Sequence, residues 1–159
     1  MLLPLNFWMG SLALLFVVYL VILASIDLKK GLLPDVLTLS LLWLGLLANS
    51  LLHWISLASA VWGAALGYGL LWLVYWVFKL LRHKEGLGFG DCKFLAALGA
   101  WWGWQAIPLL LFIASVSTLL VLGGLRLIHK YPKNPRIPFG PGLSLAGFCL
   151  LIKPLLTFI

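Results

Sequence analysis

The chain has 159 residues, of which 64% are apolar or aromatic and 9% are charged. An average soluble domain carries about 25% charged residues, so this composition, with a mean hydropathy of +1.12, excludes a soluble enzyme, a disordered tail and a nucleic-acid-binding module. The formal net charge of +7 is typical of a membrane protein whose Lys and Arg residues collect in cytoplasmic loops. We therefore expect one all-α integral membrane domain over residues 1–159. We expect this domain to be embedded in the lipid bilayer, and we expect no nucleic-acid partner.

Six apolar runs follow one another along the chain, at about 5–26, 34–52, 57–81, 91–104, 106–128 and 139–159. Crossing a hydrocarbon core of roughly 30 Å takes about 20 residues, and all but the fourth run approach that length. The first run has no Lys or Arg before it, so we interpret it as a retained span and not as a signal peptide. The fourth run is either a short span of its own or the start of one long kinked helix that continues to residue 128.

The basic residues decide between these two alternatives. They form three groups and a single residue: Lys29 and Lys30; Lys79, Arg82, Lys84 and Lys93; Arg126, Lys130, Lys133 and Arg136; and Lys153. If the fourth run is a separate span, the three groups share one side of the membrane, which the positive-inside rule identifies as the cytoplasm. We therefore predict about six transmembrane helices with both termini on the non-cytoplasmic side.

Two further expectations follow from this arrangement. Trp101, Trp102 and Trp104 would lie at the outer interface, where amphipathic aromatic rings are favoured. The third span carries glycines at three positions that suit close helix packing, namely Gly63, Gly67 and Gly69.

The chain has four acidic residues, Asp27, Asp35, Glu85 and Asp91. Ionisable groups at membrane depth cost roughly 2.5–3.5 kcal/mol and are functional by default. Asp27 follows the first apolar run at its cytoplasmic end, and Asp91 opens the fourth run from the same side. The predicted topology alone therefore places these two carboxylates at one depth on one face.

Each acidic residue also has a simpler interpretation. Asp35 follows Pro34 and is a favourable carboxylate for a helix start, and Glu85 is a solvated charge in a basic loop. Asp27 could pair with a neighbouring lysine at the interface, and Asp91 could be an N-terminal helix charge.

Three glycines, Gly86, Gly88 and Gly90, precede Asp91 within a few residues. Glycine permits positive φ and close backbone approach, so this loop could hold an extended peptide or bring a second carboxylate to Asp91. A phosphate-binding loop is the alternative, but such a loop has Lys with Ser or Thr where this chain has an acid.

Two carboxylates at a membrane boundary can share one proton, which leaves one acid and one base near neutral pH. The base would activate water and the acid would protonate the carbonyl or the leaving amine, so that a peptide is hydrolysed without a metal or another cofactor. The sequence has no HExxH or comparable metal cluster, and its Ser and Cys residues lack a well-placed His. An alternative from another class is a proton-coupled transporter that uses the same two acids, although no inverted repeat supports it.

Three segments resemble the signature motifs of type IV prepilin peptidases, which are bacterial intramembrane aspartyl proteases of the GxGD kind. They read IDLKKGLLPD at 26–35, KEGLGFGDCK at 84–93 and IPFGP at 137–141, and they follow the order of the family. The resemblance implies that Asp27 and Asp91 are the catalytic pair. Around that pair we place five candidate residues of the substrate-binding site or its loops: Gly88, Gly90, Lys93, Glu85 and Asp35.

The resemblance also implies a function, namely an inner-membrane enzyme with a cytoplasm-facing site. Such an enzyme removes the short basic leader from type IV prepilins or from the pseudopilins of type II secretion. Many members carry an N-terminal segment with CxxC motifs that is linked to methylation, and its lack before the first span here puts a methyltransferase activity in doubt. Either Lys93, two residues after Asp91, or the Lys29–Lys30 group is expected to pair with an acidic residue early in the mature substrate. A non-catalytic subunit of a pilus or secretion machine is the remaining alternative.

Overall fold

The structure, a computed structural model, describes residues 5–82, 88–127 and 138–157, which form α-helices and one short 3-10 turn. The helices are α1 (Leu5–Lys30), α2 (Asp35–Leu52), α3 (Leu57–Arg82), α4 (Phe89–Trp102), α5 (Ile107–Leu127) and α6 (Gly140–Thr157). Each helix lies within a few residues of a predicted apolar run, because a run of that length can satisfy its backbone in a bilayer only as a helix. The predicted all-α class is confirmed.

Four segments of the described residues are long and apolar enough to cross a membrane, one each in α1, α2 and α3 and a fourth that joins the 3-10 turn to α5: Gly10–Lys30, Asp35–Leu52, Leu57–Leu81 and Trp104–Gly124. The chain is therefore a multi-pass membrane protein. The apolar part of α6, Gly140–Ile152, is shorter. Helix α4 has 14 residues and is about 21 Å long at 1.5 Å per residue.

Helices α4 and α5 are separate, as the sequence predicts. Between them lie Gly103, at a φ of 80°, and a 3-10 turn over Trp104–Ala106. This positive φ, combined with a ψ of 171°, is a conformation that glycine adopts without the steric penalty of other residues. A Cβ atom on Gly103 would also lie 2.6 Å from the Ser59 hydroxyl oxygen. Both the backbone conformation and the limited space therefore favour glycine at this turn.

Helix α4 forms the centre of the bundle. Most of it is buried, and it packs against α2 and α3 with α6 on a further side. Gly63 of α3 contacts the backbone of Gly99 in α4, and Gly67 contacts the backbone of Leu95. The predicted close packing is therefore confirmed for these two glycines of α3, whereas a side chain on Gly69 would meet nothing within 4 Å.

The prediction that the three tryptophans near residue 102 lie at the outer interface is wrong for Trp101. This side chain is 1% exposed, and its indole N–H donates to the backbone carbonyl of Leu41 at 2.9 Å. Its ring packs on Phe16, which also contacts Trp102 edge-on. Trp104 is exposed. Trp101 lies in the core because α1 and α2 cover its face of α4.

Helix α6 closes the bundle along α1 and α5. The Ser144 hydroxyl donates to the Leu20 carbonyl of α1 at 3.1 Å, and Gly147 packs against the Leu20 side chain one turn further on. Gly142 approaches Ala114 of α5 so closely that a Cβ atom would lie 2.7 Å from its carbonyl oxygen. Small residues thus fix the position of α6 against both neighbours.

Candidate active site

Asp27 lies in the last turn of α1 and is 6% exposed. Its Oδ2 accepts a hydrogen bond of 2.9 Å from the backbone N–H of Gly140, the first residue of α6. Helix α1 ends immediately afterwards, because Gly31 takes a left-handed φ of 61° and its N–H bonds back to the Asp27 carbonyl. This is a common helix ending, and it places the Asp27 carboxylate at the junction between α1 and the loop that follows.

Asp91 lies in the first turn of α4 and is 8% exposed. Its Oδ2 accepts a hydrogen bond of 3.3 Å from the backbone N–H of Gly88, the residue that caps the helix. A carboxylate at the third position that bonds back to the cap residue is half of a capping box. The predicted helix-start role of Asp91 is therefore real, and it coexists with the position of this residue beside Asp27.

The structure brings the two predicted carboxylates together. Asp27 and Asp91 are the buried acidic residues of the described chain, and they lie near enough for their charges to interact. One comes from the C-terminal end of α1 and the other from the N-terminal turn of α4. The simpler interpretation of Asp27 as a partner of Lys29 or Lys30 fits less well, because Asp27 is held by Gly140 while both lysines are exposed.

Of the glycines before Asp91, the structure describes Gly88 and Gly90, and Gly90 allows a close approach between the α1–α2 loop and the first turn of α4. Gly88 has an extended backbone with φ −84° and ψ 145°, and it needs no left-handed conformation. A Cβ atom on Gly90 would lie 2.8 Å from Cβ of Leu33 in the loop between α1 and α2. Gly90 thus lets the loop that follows Asp27 rest on the turn that carries Asp91. Gly86 and Glu85 lie outside the described residues.

Asp35 and Lys93 form an ion pair. The Lys93 Nζ lies 2.6 Å from Oδ2 of Asp35, and the side chains are 26% and 58% exposed respectively. Asp35 is the first residue of α2, so the expected helix-start carboxylate is confirmed, and it has a cationic partner in addition. Lys93, which we expected to meet an acidic residue of the substrate, is paired within the chain.

Gly140 belongs to the site, although the sequence reasoning assigned it no role. It lies in the IPFGP segment that carries part of the family resemblance, but nothing local in that segment points to Asp27. The sequence feature that could have singled out Gly140 is its position as a glycine at the start of the last apolar run. As for metals, no group of three or more His, Cys, Asp and Glu side chains gathers within the described ranges.

Comparison with known proteins identifies the family. A sequence model of the type IV leader peptidase family matches residues 14–123, a segment that contains both Asp27 and Asp91. The prepilin leader peptidase/N-methyltransferase of Aeromonas hydrophila is 52% identical over 145 residues, which are 91% of this chain and 50% of that protein. The protein of the same name from Pseudomonas aeruginosa is 47% identical over 146 residues, again 91% of this chain and 50% of the relative.

A shorter relative is matched more completely. Leader peptidase HopD of Escherichia coli is 51% identical over 124 residues, which are 77% of this chain and 79% of HopD. The chain thus spans about half the length of the two longer relatives and most of the shorter one. No solved structure matches the chain significantly. From the matched segment and these identities, the chain belongs to the type IV leader peptidase family.

Proposed function

We propose that this chain is a membrane aspartyl endopeptidase that removes the short leader peptide from type IV prepilins or type II secretion pseudopilins. The observation that carries the proposal is the pair of buried carboxylates, Asp27 and Asp91, which two helix ends bring together. Family membership supports it, because relatives at about this identity are named prepilin leader peptidases.

The two carboxylates supply the chemistry that peptide hydrolysis needs. Neighbouring carboxylates in a partly desolvated site share one proton, since both cannot ionise at once at low cost. The ionised carboxylate takes a proton from water, and the water oxygen then bonds to the scissile carbonyl carbon. The protonated carboxyl group donates its proton to the carbonyl oxygen, which gives a gem-diol intermediate. The carboxyl group that took the proton from water then gives it to the leaving nitrogen as the C–N bond breaks. One gem-diol hydroxyl returns its proton to the other carboxylate, which restores the starting pair.

We place this site at the cytoplasmic face of the bacterial inner membrane, with both termini on the opposite side. The basic groups support this orientation, because Lys29 and Lys30 follow Asp27 directly and Lys93 follows Asp91. The substrate would reach the site as a membrane-inserted prepilin or pseudopilin whose leader lies on the cytoplasmic side. The proposal concerns peptide cleavage, the activity that the name of leader peptidase HopD carries alone.

The test is direct cleavage by the purified chain in proteoliposomes. A type IV prepilin and a type II pseudopilin are each incubated with the wild type and with the double variant Asp27→Asn/Asp91→Asn as the matched control. We expect the wild type to shorten the substrate, with N-terminal sequencing placing the cut between the leader and the mature segment, and the double variant to release nothing. If the wild type cleaves neither substrate, the proposal fails and the transporter and assembly-subunit alternatives return.

A further inference from the structure

We propose that Gly140 is a positioning residue of the active site, whose backbone N–H holds the Asp27 carboxylate in its working orientation. The N-terminus of α6 would then be part of the catalytic apparatus, together with the ends of α1 and α4. This inference deepens the proposed peptidase function and rests on it.

Asp27 needs a donor from outside its own helix. It lies in the last turn of α1, where the exposed backbone groups are carbonyl oxygens and the helix end carries partial negative charge. A buried carboxylate there is unfavourable unless another element supplies a hydrogen bond. The first N–H of α6 does so at 2.9 Å, across 113 residues of sequence, and it brings the positive end of an 18-residue helix to the charge.

The fit between Gly140 and Asp27 also leaves no room for a Cβ atom at position 140 unless Asp27 moves. A Cβ atom on Gly140 would lie 2.6 Å from Oδ2, 3.0 Å from Cγ and 3.1 Å from Cβ of Asp27. All three of these nearest atoms belong to the same carboxylate side chain. The glycine is therefore required by Asp27 itself, and a single added methyl group would push the carboxylate from its place.

The donor is held firmly by the packing of α6. One turn after Gly140, the Ser144 hydroxyl bonds to the Leu20 carbonyl of α1 at 3.1 Å. Two interhelical hydrogen bonds thus set the register of α6 along α1. By engaging Oδ2, the amide limits rotation of the carboxylate about its Cβ–Cγ bond. Reacting groups must be held to within a fraction of an ångström for full activity.

The first test compares glycine variants in the prepilin cleavage assay. Gly140→Ala is expected to lower kcat by about 100-fold, the scale of a misplacement of about 1 Å, with KM changed less than about threefold. Gly147→Ala is the matched control, because it adds the same methyl group to α6 two turns from Gly140, where its Cβ would press on the Leu98 and Leu20 side chains. Its kcat is expected to stay within about threefold of the wild type.

The second test removes the donor without adding an atom. Glycolic acid placed at position 140 by nonsense suppression replaces the amide N–H with an ester oxygen. We expect kcat to fall about tenfold, the value of one hydrogen bond to a charged group. The acidic limb of the kcat/KM profile should move to higher pH, because that donor favours the ionised carboxylate.

The outcomes separate the two proposals. If the wild type cleaves prepilin and the Gly140→Ala and ester variants cleave it at the same rate, the role of Gly140 is overturned. The proposed peptidase function is then unaffected. Equal losses of kcat in Gly147→Ala and Gly140→Ala would also overturn the inference, since they would reflect the general packing of α6. A wild type without cleavage activity defeats both proposals together.

Discussion

The two carboxylates of the site have different surroundings. Asp27 accepts its hydrogen bond from a different helix, through the Gly140 N–H, whereas Asp91 accepts from Gly88, the cap residue of its own helix. Asp27 lies at the negative end of α1 and Asp91 at the positive end of α4. Unequal environments are what separates an acid from a base within a carboxylate pair.

The Asp35–Lys93 ion pair should have only a modest effect on cleavage. Asp35→Asn and Lys93→Gln are each expected to lower kcat/KM less than about fivefold, because a partly exposed pair contributes roughly 0–1 kcal/mol. The double variant should lose no more than either single variant, since removing one partner already breaks the contact. The check is a double-mutant cycle in the prepilin cleavage assay. A complete loss in Asp35→Asn would instead make Asp35 a third acid in the chemistry.

For individual residues, the sequence predicts the candidate acids but not their hydrogen-bond and ion-pair partners. Asp27 and Asp91 can be chosen because the apolar runs place both at the same membrane depth. The Gly140 contact crosses 113 residues, and no periodicity within the IPFGP segment points to it. The predicted topology places several acidic residues on the same side of the membrane as Lys93. Its pairing with Asp35 can therefore be identified only from the packing of α2 against α4.

The helices illustrate what composition can and cannot predict. Long apolar runs give the helix bounds to within a few residues, because every backbone group in a bilayer must be satisfied internally. The orientation of each helix is harder to predict, since a side that faces lipid and a side that faces the core are both apolar. Trp101 and Trp104 are only three positions apart, yet one is in the core and the other is exposed.

The contact between α3 and α4 predicts a contrast between two glycines of one helix. Gly63→Ala should destabilise the protein by about 1–3 kcal/mol, because its Cβ would overlap the Gly99 backbone. Gly69→Ala, which has nothing within 4 Å, should be neutral or stabilising by up to about 1 kcal/mol, since alanine is the better helix former. Thermal unfolding in detergent measures both. Equal unfolding temperatures for the two variants would contradict the packing of α3 on α4.

The whole molecule is organised by the membrane. Four helices of the described residues are long enough to cross it, and the central α4 is enclosed by its neighbours, mainly α2 and α3. A short helix with a carboxylate at its end leaves that end near the aqueous boundary, where the proposed hydrolysis would have access to water. The charge pattern predicts that this boundary faces the cytoplasm, because the positive-inside rule assigns the lysines beside Asp27 and Asp91 to that side.

Cysteine labelling tests this orientation. In a Cys92→Ala/Cys149→Ala background, single cysteines replace Lys30, the last residue of α1, and His53, directly after α2, both of which are exposed. We expect an impermeant maleimide to label His53→Cys from the periplasmic side of intact cells, and Lys30→Cys only after the inner membrane is opened. The reverse pattern would place the site on the wrong face for a cytoplasmic leader, and equal labelling would mean that α2 does not cross.

The most direct test of the central claim measures single-turnover cleavage of a prepilin by three Asp→Asn variants of the purified chain. We predict that Asp27→Asn and Asp91→Asn each lower the rate at least 1,000-fold, on the order of the loss when a member of a catalytic unit is removed. All three variants should still bind substrate, and their unfolding temperatures should lie within a few degrees of the wild type. Asp35→Asn, the matched control outside the buried pair, should remain within about fivefold of the wild type. If either Asp27→Asn or Asp91→Asn cleaves at a rate comparable with Asp35→Asn, the two carboxylates do not form a catalytic pair.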